Sequence, residues 1–66
     1  MLNYAKLFEL LKLMNIKPGK LVQDSIITPG TLKRLKNNDI VNLSTLDRIS
    51  IYLGCEIWDL FTYERP

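Results

Sequence analysis

The apolar residues near the start of the chain, Tyr4, Leu7, Phe8, Leu11 and Met14, recur at the spacing of one face of an amphipathic helix. A first helix over about residues 4–14 follows, with Asn3 as its N-cap. Asn15 is a stop because Asn tolerates the left-handed conformation, and Lys12 in the last turn favours the helix dipole. Lys17-Pro18-Gly19-Lys20 restarts the chain with Pro at a first helical position. It predicts a short second helix from Pro18 to about Asp24, with Leu21 and Val22 buried. Ser25-Ile26-Ile27 is then a tight connector whose isoleucines plug the core. Thr28-Pro29 repeats the start signal with a hydroxyl cap, and Leu32 and Leu35 supply the buried pair of a third helix, Pro29 to Asn37. Asn37-Asn38-Asp39 ends it.

A fourth stripe, Leu43, Leu46, Ile49, Ser50 and Leu53, has Asn42 or Ser44 as its cap and Gly54 at its C-terminal end. Ile57, Leu60 and Phe61 mark a last helix from Ile57 to about Phe61. The pattern therefore predicts five helices, no strand, no repeat and no linker, with Tyr63 to Pro66 frayed. At 66 residues, 47% of them hydrophobic, the chain is read as one domain over residues 1–66.

Composition removes most chemistries. The sequence has no His, one Cys and three separated glycines, so serine and cysteine triads, zinc sites and phosphate loops lack their residues. Neither an enzyme nor a cofactor or small-molecule ligand is expected. Cys55 packs as a small hydrophobe. A core of this size contributes only about 3–5 kcal/mol without disulfides, metals or partner chains, and oligomerisation is the help that remains. The N-terminal stretch is too polar for a signal peptide and too short for a membrane span, which points to a cytoplasmic protein.

Charge is segregated. Residues 1–15 carry +1, residues 16–38 carry +4 and residues 39–66 carry −3, so one face is built to meet an anion. Trp58 points away from the Ile57, Leu60 and Phe61 side of the last helix. An exposed Trp in so small a domain marks a partner surface, unless it folds back onto Tyr52 or Tyr4.

The run Leu21 to Leu35, then Val41-Asn42-Leu43-Ser44-Thr45-Leu46, Arg48-Ile49 and Leu53-Gly54-Cys55-Glu56-Ile57-Trp58-Asp59-Leu60, resembles the Cro/CI-type (lambda-repressor-like) helix-turn-helix family over nearly the whole chain. The resemblance implies an all-α, compact five-helix domain that regulates transcription by binding double-stranded DNA. In that docking mode the second helix lies across the backbone and the third enters the major groove. Base-facing positions are then Thr28, Pro29, Gly30, Thr31, Lys33 and Arg34. Phosphate contacts come from Lys17, Lys20, Thr28, Lys36, Asn37 and Asn38. The resemblance also places a homodimer contact near the C-terminus, at Trp58, Phe61 and Tyr63.

The sequence departs from the family pattern at four places. Ile26 stands at the turn position usually held by glycine, Lys36 where Glu is frequent, and Asn38 where glycine is common. Pro29 and Gly30 replace polar base readers. Readout then leans on Arg34, which can grip G through O6 and N7, with Lys33 and Thr31 in support and the Pro29 ring against a thymine methyl. The rival reading is a protein-interaction module of the same fold, antitoxin-like or scaffolding, without specific DNA readout. A chain this short leaves no room for an effector domain, so control would come from occupancy, abundance or a regulatory protein partner.

Overall fold

In the computed structural model, which describes residues 1–65, the elements run β1 (Leu2–Asn3), α1 (Ala5–Leu13), α2 (Pro18–Gln23), α3 (Pro29–Lys36) and α4 (Leu43–Leu53). A single 3-10 turn at Ile57–Asp59 and β2 (Thr62–Tyr63) complete it. Four of the expected helices are present within a residue or two of their sequence limits. The fifth is reduced to the 3-10 turn, closed by a reciprocal cap in which Glu56 and Asp59 exchange side-chain and backbone bonds. The five apolar and acidic residues between Gly54 and Leu60 are too few to propagate an α-helix once the cap has closed on itself.

The chain also has two strands where none was expected. β1 and β2 pair antiparallel, Leu2 opposite Tyr63 and Asn3 opposite Thr62, and the Glu64 amide donates to the Met1 carbonyl at 3.1 Å. Tyr63 and Glu64 are therefore paired rather than frayed, while Pro66 lies outside the described residues. Strands of two residues carry no alternation to read, and their pairing joins opposite ends of the sequence.

Each helix end is made by the same device. Asn15, Ser25 and Asn38 follow α1, α2 and α3 with φ of 58°, 60° and 57°, and Gly54 follows α4 with φ 71°. The left-handed residue turns the chain so that amides beyond the helix reach back to its last carbonyls, as Ile16 does to Leu11 at 2.8 Å and Ile26 to Leu21 at 2.9 Å. The turn before α3 thus needs no glycine at Ile26, because Ser25 takes the positive φ. Ile27 is buried in the core and Ile26 packs against it.

The core joins Tyr4, Leu7 and Leu11 of the first segment to Leu21, Ile27 and Leu35 of the helix pair, and these to Leu46, Ile49, Leu53 and Leu60. Two stripe residues fall outside it. Met14 caps α1 and is 42% exposed, and Leu43, the first residue of α4, is 65% exposed. Thr45 is buried in its stead. At the start of α1 the cap position is Tyr4, with Asn3 accepting the Ala5 amide at 2.7 Å.

Tyr4 then locks the loop after α3. Its amide donates to Asn38 Oδ1 at 2.9 Å and its hydroxyl to the Asp39 carbonyl at 2.7 Å. Burial pushes the phenol above its ordinary pKa, so it stays a neutral donor.

Candidate nucleic-acid interface

Thr28 and Pro29 determine how α3 begins. Thr28 is extended, with φ −89° and ψ 161°, and its Oγ1 accepts the Thr31 amide at 3.1 Å. Pro29 needs no partner for an N–H at this first position. The Thr28 and Thr31 hydroxyls lie 3.0 Å apart, forming a polar ridge along the first turn. Leu35 is the buried contact of α3, with Leu32 half-buried, and Lys33, Arg34 and Lys36 are left exposed on the solvent face.

A shallow depression lies on each side of the threonine ridge. One, of about 210 Å³, is lined by Gly30 and Arg34 together with Asn42 and Thr45 from the start of α4. The other, of about 290 Å³, is lined by Ile26, Pro29 and Arg48. Both include Thr28 and Thr31. A Cβ added at Gly30 would meet only Thr28 Oγ1, at 3.9 Å, so the first turn of α3 presents an uncrowded surface to whatever approaches it.

The structure therefore brings Thr28, Pro29, Gly30, Thr31 and Arg34 onto one surface, with Lys33 on the same exposed helix. It adds Thr45 and Arg48, which no local pattern marked, and Asn42. Asn42 was legible only as a helix cap, and it sits at that position without making a side-chain cap bond.

The expected phosphate contacts divide into free and committed groups. Lys17 and Lys36 are exposed and make no ion pair among the described residues, where Lys20 with Asp24, at 3.1 Å, forms the one salt bridge. Asp24 is also bonded by the Tyr52 hydroxyl. That bond first, and Lys20 second, hold the Asp24 carboxyl below the usual carboxylate range. Lys20 is thus turned toward Tyr52 on α4, in a depression that contains no residue of α3. Asn37 is exposed at the end of α3. Asn38 Oδ1 is occupied by the Tyr4 amide, which leaves its NH₂ to donate.

Of the three C-terminal aromatics, Trp58 is 66% exposed and Tyr63 64%, whereas Phe61 packs against the core. Trp58 has not folded back onto Tyr52 or the buried Tyr4. Its carbonyl accepts Lys6 Nζ at 2.7 Å, which ties the 3-10 turn to α1. Cys55 is half-buried against the core, and burial, then Asp59 and Glu56, push its thiol up.

Among the described residues no helix is long and apolar enough to cross a membrane, and no group of three or more His, Cys, Asp or Glu could hold a metal ion.

A short helix packed through a tight turn against a second one, whose exposed face is basic, is the arrangement of a helix-turn-helix domain. The crystal structure of the transcriptional regulator VanUg, form II, matches the chain with a TM-score of 0.90 at 29% identity, covering 98% of this chain and 87% of that one. No curated protein sequence matches it. The family model of the Cro/C1-type HTH DNA-binding domain matches residues 6–66, and with α2, the Ser25 turn and the basic face of α3 in their expected places, the chain belongs to that family.

Proposed function

We propose that the protein is a sequence-specific regulator that binds a pseudo-palindromic operator as a homodimer, each protomer placing α3 in the major groove, and that it acts as a repressor. The observation that carries this reading is the exposed face of α3, where Arg34 stands beside the Thr28–Thr31 ridge and Lys33 and Lys36 are exposed on the same helix, with no carboxylate paired to any of the three among the described residues. Cations left unpaired on one helix face are available to phosphates. Arg34 is the principal base reader because its guanidinium can bond two acceptors of guanine at once. Lys17, Lys36 and the Asn37–Asn38 end of α3 hold backbone phosphates. Asn38 does so through its NH₂ alone. Lys20 would join them only by leaving Asp24.

Trp58, with Tyr63, forms the contact between protomers. Its large exposed ring supplies the anchor that a small interface requires. The half-sites then lie about one helical turn apart, about 34–36 Å. The protein carries out no reaction and uses no cofactor. It acts in the cytoplasm, and occupancy of the operator blocks transcription.

Selection from random duplex DNA at physiological salt tests the reading, and recovery of a short inverted repeat is expected. On that site Arg34→Ala should cost about 1–3 kcal/mol and relax preference at one base pair, whereas Lys17→Ala should weaken all duplexes equally. A bound pool with no enriched sequence would refute specific readout and favour a protein-interaction module of the same fold.

A further inference from the structure

The first turn of α3 has little side-chain reach of its own, since Pro29 and Gly30 carry no side-chain donor. On the Pro29 side of the Thr28–Thr31 ridge the donor comes from another helix. Arg48, an exposed residue of α4, lines the same depression as Ile26, Thr28, Pro29 and Thr31. It lies across the ridge from Arg34, which lines the opposite depression. The two guanidinium-bearing side chains thus flank the start of α3.

The charge on Arg48 is also uncommitted. One turn further along α4, Tyr52 holds Asp24, and the two carboxylate oxygens of Asp24 are taken by Tyr52 and by Lys20. Asp47, its neighbour in sequence, points its backbone carbonyl at the Ser50 hydroxyl and makes no ion pair with Arg48. Glu56 and Asp59 are bound into the reciprocal cap of the 3-10 turn. Arg48 is therefore a cation beside an apolar wall, Ile26 and Ile27, with no counter-charge among the described residues. Its aliphatic stem is suited to lie along that wall while the guanidinium reaches outward.

We propose that Arg48 is a second anchoring residue of the DNA interface, bonding a backbone phosphate that flanks the bases addressed by the start of α3. Guanidinium and phosphate match in geometry, since two parallel N–H groups meet two phosphate oxygens. The contact fixes the angle at which α3 enters the groove and adds affinity where Pro29 and Gly30 offer no side-chain donor. It rests on the DNA-binding reading and adds to it a residue outside the helix-turn-helix segment.

Arg48→Gln and Arg48→Lys, compared with the unaltered protein and with Arg34→Ala, test it on the selected duplex and on a random one across a salt series. Arg48→Gln is expected to weaken both duplexes by the same factor, about tenfold, and to reduce the slope of log affinity against log salt by about one. Arg48→Lys should restore most of the slope. Because Arg48 is exposed, an unchanged thermal midpoint verifies that the fold is intact. Unchanged affinity and slope in Arg48→Gln, with Arg34→Ala still impaired, would overturn this proposal and leave the DNA-binding reading standing. A loss confined to the selected duplex would overturn the phosphate contact in favour of a base contact. Failure of the unaltered protein to prefer or hold any duplex would overturn both.

Discussion

Asn38 performs two tasks that substitution can separate. It holds φ at 57° after α3, and its side-chain carbonyl accepts the Tyr4 amide at 2.9 Å, across 34 residues of sequence. Both Asn38 and an Ala in its place carry a Cβ that the left-handed conformation sets against the following carbonyl, about 1–2 kcal/mol worse than Gly; Asn tolerates this better, so Asn38→Ala costs up to about 1 kcal/mol on this account. The Tyr4 amide, partly buried, loses its acceptor at a cost of about 1–3 kcal/mol. Together these remove about 1–4 kcal/mol from a domain of a size that rarely holds more than about 3–5 kcal/mol. Asn38→Gly forfeits the bond but not the backbone conformation, so it should fall between the two.

Urea unfolding followed by Trp58 fluorescence measures both variants. At a slope of about 1 kcal/mol per molar urea for a chain this small, the Ala midpoint is expected about 1–2 M below that of Gly. A constant concentration of sulfate restores a native baseline where Ala lacks one. Asn38→Asp retains both an acceptor and tolerance of positive φ and should stay close to the unaltered protein. Equal midpoints for Ala and Gly would refute the backbone part of the reasoning, and a stable Ala variant would refute all of it.

The Asp24 cluster predicts a pH dependence. Tyr52 and Lys20 lower the native pKa of Asp24, so its contribution is present above the ordinary carboxylate range and is lost as pH falls through the lowered native value. Thermal midpoints of the unaltered protein and of Asp24→Asn should differ near neutrality and converge in acid, and parallel curves would count against the cluster. Burial of Cys55 raises its thiol, so alkylation at mildly alkaline pH should be slower in the folded chain than in urea; equal rates would show the thiol to be open to solvent. Trp58→Ala should lower the sedimentation mass at micromolar concentration while the fold persists, and an unchanged mass would remove Trp58 from the protomer contact.

The local signals in this sequence were sufficient for α1 to α4. Thr28-Pro29 starts α3 through a bond within four residues, and Asn15, Asn38 and Gly54 end helices through backbone preferences that belong to single residues. Burial of Leu7, Leu11, Leu35, Leu46 and Ile49 follows from helical spacing for the same reason. The basic segment from Lys17 to Lys36, and the exposure of Lys33 and Arg34 opposite Leu35, were equally legible.

Tertiary structure decided what depends on groups distant in sequence. The pairing of Leu2–Asn3 with Thr62–Tyr63 joins the two ends of the chain, and neither strand is long enough to announce itself. Lys20 reads as a phosphate contact; that its neighbour one turn on, Asp24, is also held by Tyr52 from another helix is visible only in the packed fold. Arg48 reads as the solvent face of α4 until the packing of α4 sets it beside Pro29. Helical periodicity reports which face of an element is buried, because side-chain direction repeats along one axis. It carries no information on which residues of two different elements meet, since that is determined by how the elements pack on the shared core.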